Sequence, residues 1–271
     1  MAQRIITGSL LAAALALLMY IGGTAISIAA MICICLGVYE EFHVLRYAGH
    51  HPVSLPTWIG MALSIPMVLV FGSKVILPVM VVTCLATVAC ILFSREPRLD
   101  DLMLSILPLI SIVLPGMCII GLASIPNQAL MLTYLCLLFV VPVCCDTMAL
   151  IVGSKIGGPK FCPAVSPKKT ISGALGGMIG ALLGVLLVGT IAFIGCNPET
   201  RLLLPAWWEY LLIGLVGGAA SQLGDLMASL VKRHCGVKDF SNLFPGHGGM
   251  MDRMDSVLFM ALIVYGFYLL H

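Results

Sequence analysis

The sequence predicts an all-α polytopic integral membrane protein of about nine transmembrane helices. Three observations carry that expectation. The chain has 271 residues, of which 61% are hydrophobic and only 10% charged, and its mean hydropathy is +1.11; a soluble domain averages nearer 45–50% apolar and about 25% charged. Apolar stretches long enough for spans recur along its whole length. Its basic residues collect in alternate connecting segments, as the positive-inside rule requires.

A spanning helix needs roughly 20 mainly apolar residues. Nine stretches qualify or come close: 5–21, 23–38, 57–72, 75–93, 102–123, 128–153, 173–195, 208–228 and 254–270. The first, following Arg4, has the look of a signal peptide, but the remaining spans mark it as a retained helix. Pro66, Pro108, Pro115 and Pro142 fall inside spans, where proline is tolerated and produces kinks. Gly173, Gly176, Gly177, Gly180 and Gly184, three or four residues apart, suit close helix packing. Trp58, Trp207 and Trp208 stand at span edges as interface anchors.

Orientation follows from the cations. If the segments near 39–56, 94–101, 154–172 and 229–253 share one side with the N-terminus, that side holds Arg4, Arg46, Arg95, Arg98, Lys155, Lys160, Lys168, Lys169, Lys232, Arg233, Lys238 and Arg253. Only Lys74 and Arg201 fall opposite. The N-terminus and these loops are therefore expected to be cytoplasmic, with His271 outside. Residues 1–125 form an N-terminal transmembrane scaffold. Residues 126–271 form a C-terminal catalytic region, which carries the two long basic loops and the acids within helices. A net charge of +2 without a polybasic arm excludes nucleic-acid binding. The 11 cysteines lie mostly in apolar runs and include no CxxC pair, so neither a disulfide scaffold nor a zinc knuckle is indicated.

Two acids stand out because charge at membrane depth costs at least about 2.5–3.5 kcal/mol. Asp146 interrupts an apolar run, and Asp225 lies on a stripe with Gly218, Ser221, Ser229 and Lys232 at helical spacing. That stripe must face protein or water, and it leads to Lys232 and Arg233. In the loop that follows, Pro245, Gly246, His247, Gly248 and Gly249 supply backbone able to approach an anion. Asp252 and Asp255, three apart, open the last helix on one face. Carboxylates beside cations suit Mg²⁺ holding a polyphosphate. His247 has no second His or Cys at ligand spacing, so phosphate hydrogen bonding suits it better than zinc.

The other basic loop places Ser166, Pro167, Lys168, Lys169 and Thr170 just before a helix, where free N–H groups and two lysines make an anion site. It is not a P-loop, because GxxxxGK[ST] is absent. Glu40, Glu41, His43, His50 and His51 form no recognisable constellation and are expected to be solvated or interfacial.

The run Ser229-x-Val231-Lys232-Arg233, then Lys238-Asp239, then Phe244-Pro245-x-His247-Gly248-Gly249-Met250-x-Asp252-Arg253-x-Asp255 resembles the signature of the phosphatidate cytidylyltransferases, the CDP-diacylglycerol synthases. Asp146-Thr147 with Gly153, and Ser166 to Thr170, are similar to two further blocks of that family, so the likeness covers residues 140–256. The chain departs from the pattern at Leu150, where an aromatic residue is usual, and at Ser172, where Glu is usual. The resemblance implies transfer of the cytidylyl group of CTP to phosphatidic acid, giving CDP-diacylglycerol and pyrophosphate. It implies a bacterial inner membrane, a homodimer and Mg²⁺, and leaves open a second, monovalent cation such as K⁺.

On this reading the active site lies at the cytoplasmic face of the C-terminal helices. Asp225 and Asp252, with Asp255 or Asp146 assisting, are expected to hold the metal. Lys168 and Lys169 would neutralise pyrophosphate, and Lys232 and Arg233 would position the lipid phosphate. Ser166, Thr170, Ser229, Lys238, His247, Gly248, Gly249, Arg253 and Asp146 would contact substrate. A phosphate monoester is already largely ionised near neutrality, so no strong base is required. Two other readings of the same residues are a CTP-using lipid kinase and a transporter.

Overall fold

The computed structural model describes the backbone of residues 2–244, 246 and 248–271, and the side chains of all of these except 2–7, 65, 66, 69 and 73. Among the described residues the architecture is a helical bundle with one small hairpin. We label the long helices α1 (Ala2–Ile21), α2 (Gly23–Tyr47), α3 (Leu55–Phe71), α4 (Ile76–Leu92), α5 (Leu99–Ala123), α6 (Gln128–Ile156), α7 (Ile171–Gly195), α8 (Trp207–His234) and α9 (Met251–Leu270). Six of them, α2 and α5 to α9, are long and apolar enough to cross a membrane. The side chain of Arg4, and the whole of Pro245 and His247, lie outside the described residues.

α5 is the central helix, with 78% of its most apolar stretch buried against 33–44% for the other five. It contacts α2 and α9. Pro108 lacks an N–H and would clash with the preceding turn. The chain absorbs this in a π-helical stretch at Leu109–Val113 before resuming α-helix at Leu114. Ser111, on that stretch, donates to the Glu41 carboxylate of α2 over 3.0 Å.

The C-terminal region is built on α6 against α7 and on α8 against α7 and α9. The glycines of α7 do what their spacing suggested. A Cβ at Gly173 would lie 3.0 Å from the Ala149 carbonyl oxygen of α6, so the two backbones meet almost directly there. Tyr134, Leu135, Leu137, Leu138 and Val141 of α6 are fully buried, as are Ile213 of α8 and Met260, Ala261 and Val264 of α9.

Three element boundaries differ from the hydropathy reading. α2 continues past residue 38 to Tyr47, because Glu40 and Glu41 are buried against other elements and are not the solvated end of a span. α8 continues past residue 228 to His234 and runs for 28 residues. The basic segment after α6 is not an open loop: Lys160–Cys162 (β1) and Ser166–Thr170 (β2) pair as an antiparallel hairpin.

Candidate active site

The hairpin ends by handing the chain directly to α7. Thr170 is the helix N-cap, and its Oγ1 accepts from the Gly173 N–H over 3.1 Å. Substrate contact was expected of Thr170; its hydroxyl serves the helix start, although the residue also lines the adjoining cavity. That cavity, of about 390 Å³, lies between α6, the hairpin, α7 and α8. Asp146, Lys168, Lys169, Gln222 and Asp225 supply its polar wall, while Leu150 and Phe161 supply an apolar one. Sequence reading missed Gln222, whose Nε2 donates to the Ala174 carbonyl over 3.0 Å and so holds α8 to α7 beside the two acids.

Asp225 forms an ion pair with Lys169. Asp146 shares the cavity wall with Asp225, whereas Asp255 of α9 lies within electrostatic reach of Asp225 but does not line that cavity. Lys169 and Arg253 attract Asp146, and Lys232 attracts Asp255. Among the described residues, no three His, Cys, Asp or Glu side chains close on one point tightly enough to form a ready metal cage. The stripe predicted on α8 faces protein as expected: Ser221 and Lys232 are buried, and Asp225 and Ser229 are partly so.

A second cluster lies one to two turns further along α8. Lys232 donates to Asp252 Oδ1 over 2.6 Å, with side chains only 11% and 4% exposed. The other oxygen of Asp252 accepts the N–H groups of Phe240 and Gly249, each over 2.9 Å. Asp252 thus has both oxygens engaged by protein. The intervening segment folds back on itself, with Phe244 and Gly248 exchanging backbone hydrogen bonds. Gly246 and Gly248 have φ of +77° and +82°, a left-handed conformation that favours glycine. Arg233 leaves this cluster and reaches the Val165 carbonyl in the hairpin turn at 3.5 Å, tying the two basic segments together. Lys238 and Arg253 are exposed, and Ser166, Ser229 and Lys238 are not among the residues lining the cavity.

The expectation for the first polar segment holds for His43 and His51, which are exposed, and is overturned for its two acids. Glu40 is 4% exposed and Glu41 fully buried. Glu40 accepts from Ser241 Oγ over 2.6 Å and from the N–H groups of Met250 and Met251 over 2.9 and 2.8 Å. His50 stacks on His234 at the end of α8, with ring centroids 4.9 Å apart. These residues looked solvated because their partners lie 70 to 211 positions away, beyond the reach of any local pattern. The one local signal was two adjacent acids following a long apolar run.

Comparison with known proteins agrees with the resemblance read from the motifs. The profile of the cytidylyltransferase family matches residues 2–271. A phosphatidate cytidylyltransferase of Bacillus subtilis is 34% identical over 276 residues, covering 98% of this chain and 96% of that protein. One from Rickettsia bellii is 35% identical over 174 residues, 63% of this chain and 72% of that protein. One from Brucella abortus is 37% identical over 135 residues, 50% of this chain and 46% of that protein.

Proposed function

The chain belongs to the cytidylyltransferase family, and from that premise we propose how its residues carry the reaction. It is a nucleotidyltransferase that passes the cytidylyl group of CTP to phosphatidic acid, giving CDP-diacylglycerol and pyrophosphate. The observation that supports this best is the cavity in which two carboxylates and two lysines share walls with the apolar Leu150 and Phe161. One substrate is a polyphosphate and the other a phosphate on a lipid. A site with one cationic and one apolar wall suits both.

In the reaction a phosphatidate oxygen attacks the α-phosphorus of CTP. A phosphorus–oxygen bond forms there as the bond to the bridging oxygen breaks, and pyrophosphate leaves with the electron pair. Lys168 and Lys169 neutralise the departing charge, and Lys169 does so by turning from Asp225 to the phosphates. Lys232 and Arg233 hold the lipid phosphate in line and Arg253 steadies Asp146; the amides of Gly248 and Gly249, expected to meet the nucleotide, are instead engaged by Phe244 and Asp252. The energetic task is alignment and charge neutralisation.

The donor chemistry of Asp146 and Asp225, two carboxylates on one cavity wall, fits Mg²⁺, a hard cation that takes a few carboxylates and is completed by phosphate oxygens, and Asp255 would add a third oxygen donor by moving toward them. Bound there, Mg²⁺ would supply Lewis-acid polarisation of the phosphoryl oxygens. Asp252 would join the set by releasing Lys232. A monovalent cation such as K⁺ would answer the remaining negative charge.

We further propose nine spans, with α1, α3 and α4 crossing beside the other six helices. The site would then lie on the cytoplasmic face of a bacterial inner membrane, an orientation supported by the skew of basic residues. A homodimer is the proposed assembly. Purified protein given CTP and phosphatidate tests the reaction directly. Pyrophosphate release that requires both substrates is the expected result; release of a nucleoside diphosphate would indicate a kinase, and neither product would indicate transport.

A further inference from the structure

α9 begins without a cap of its own. Its N-cap position is Met250, whose side chain makes no capping hydrogen bond, and the first N–H groups of a helix need acceptors. The acceptor comes from the other end of the chain. Glu40 of α2 takes the N–H groups of Met250 and Met251, and a third bond from the Ser241 hydroxyl. All three donors are neutral, so the carboxylate is held by the segment it holds. A Cβ at Gly249 would come within 2.5 Å of the Glu40 carboxylate, so the approach requires glycine at that position.

Asp252 grips the same segment from the other side, through Phe240 and Gly249. Four backbone N–H groups, at 240, 249, 250 and 251, are thus shared between two carboxylates. One belongs to the proposed site and the other lies far from it in sequence. Glu40 is itself fixed, because its neighbour Glu41 accepts from Ser111 on the π-helical stretch of α5.

We infer that Glu40 is a positioning residue for cytidylyl transfer: by capping α9 and clamping the 239–251 segment, it sets Asp252 and Lys232, and one turn on Arg253 and Asp255, in working register. This rests on the transferase reading above. The N-terminal half is then part of the catalytic apparatus and more than a scaffold.

The test uses the full chain in detergent with CTP and phosphatidate. Glu40→Gln keeps the shape but weakens all three bonds. The expected result is a fall in kcat of about 10²-fold, the order that a misplacement near 1 Å produces, with the KM for CTP little changed. Backbone hydrogen exchange at Met250 and Met251 should speed up in the same variant. Ser241→Ala, which leaves the charge in place, should show a smaller fall in kcat in the same direction, and it decides the matter if the Gln variant does not fold. Wild-type kcat in both variants, or unchanged exchange at the two methionines, would overturn the inference. Absence of pyrophosphate release by the unaltered protein would instead sink the transferase reading, while the exchange comparison would still report on the clamp.

Discussion

Lys169 and Asp225 meet as an ion pair that closes the hairpin onto the middle of α8. The pair is the most direct link between the two basic segments and the acid stripe. Its side chains are 31% and 29% exposed, so its contribution to stability is screened and falls in the range of about 0–1 kcal/mol.

That small value separates function from folding at Asp225. Asp225→Asn keeps the size of the side chain and removes the charge that a hard cation and Lys169 both require. Turnover is expected to fall by several orders of magnitude while the detergent melting curve shifts by no more than about 1 kcal/mol of stability. Substantial Mg²⁺-dependent turnover in the Asn variant would remove Asp225 from the proposed metal site.

Lys168 and Lys169 should behave as phosphate contacts. Each truncation to Ala removes a charge-assisted bond of about 1.5–3 kcal/mol, or roughly 10- to 150-fold in nucleotide handling. Steady-state kinetics in detergent, where orientation no longer matters, is the measurement. Wild-type kinetics for the double variant would leave the lysines with topology as their only role.

Lys232 and Asp252 should respond differently, because their pair is almost wholly enclosed. Removing one partner strands the other charge, at a cost of about 3–5 kcal/mol. Lys232→Ala and Asp252→Asn are therefore expected to melt well below the wild type, with the 239–251 segment opening first. A wild-type melting curve for either would show that the pair is not maintained in the folded protein.

Cysteine labelling reports on orientation, through Cys162. Cys162 is partly accessible in the hairpin, whereas Cys235 is 6% exposed. Burial first, and the Glu41 carboxylate second, hold the Cys235 thiol above its ordinary pKa, so it is both shielded and short of thiolate. An impermeant thiol reagent should miss Cys162 in intact cells and modify it after lysis, with Cys235 silent in both. Peptide mass spectrometry resolves the two sites, and modification of Cys162 in intact cells would reverse the assigned orientation.

Much of this arrangement was legible in the sequence. The α8 stripe, the packing glycines of α7 and the acids of α9 follow from helical spacing alone. The convergence of Asp146 with Asp225 was suggested by the expense of intramembrane charge. What escaped were long-range partners. Glu40 reads as an ordinary acid at the end of a span, since nothing within twenty residues of it predicts Ser241 or Met250. The hairpin escaped because Ser166 to Thr170 carry no alternation of polar and apolar residues, so their pairing is set by the turn and by the start of α7. Asp252 was recognised as important from its motif, but its engagement with Lys232 depends on a fold-back at Phe244 and Gly248 that a linear reading does not contain.

The length of α8 has its own consequence. At about 1.5 Å per residue its 28 residues extend some 42 Å, well beyond a hydrocarbon core of about 30 Å. The exposed Trp207 and Trp208 mark one end as an anchor at the headgroup level. Counting from there, Asp225 falls about 27 Å along the axis and Lys232 about 10 Å further. In the proposed topology the helix would work as a ruler: the tryptophans would fix its zero, and the thickness of the surrounding lipid would decide whether Asp225 meets the phosphate layer or falls short of it. Mismatch of a few ångströms costs only fractions of a kcal/mol per ångström, yet it moves the acid relative to the headgroup it must serve. Turnover should therefore vary with the acyl length of the host bilayer, coupling the output of lipid synthesis to the dimension of the membrane being built.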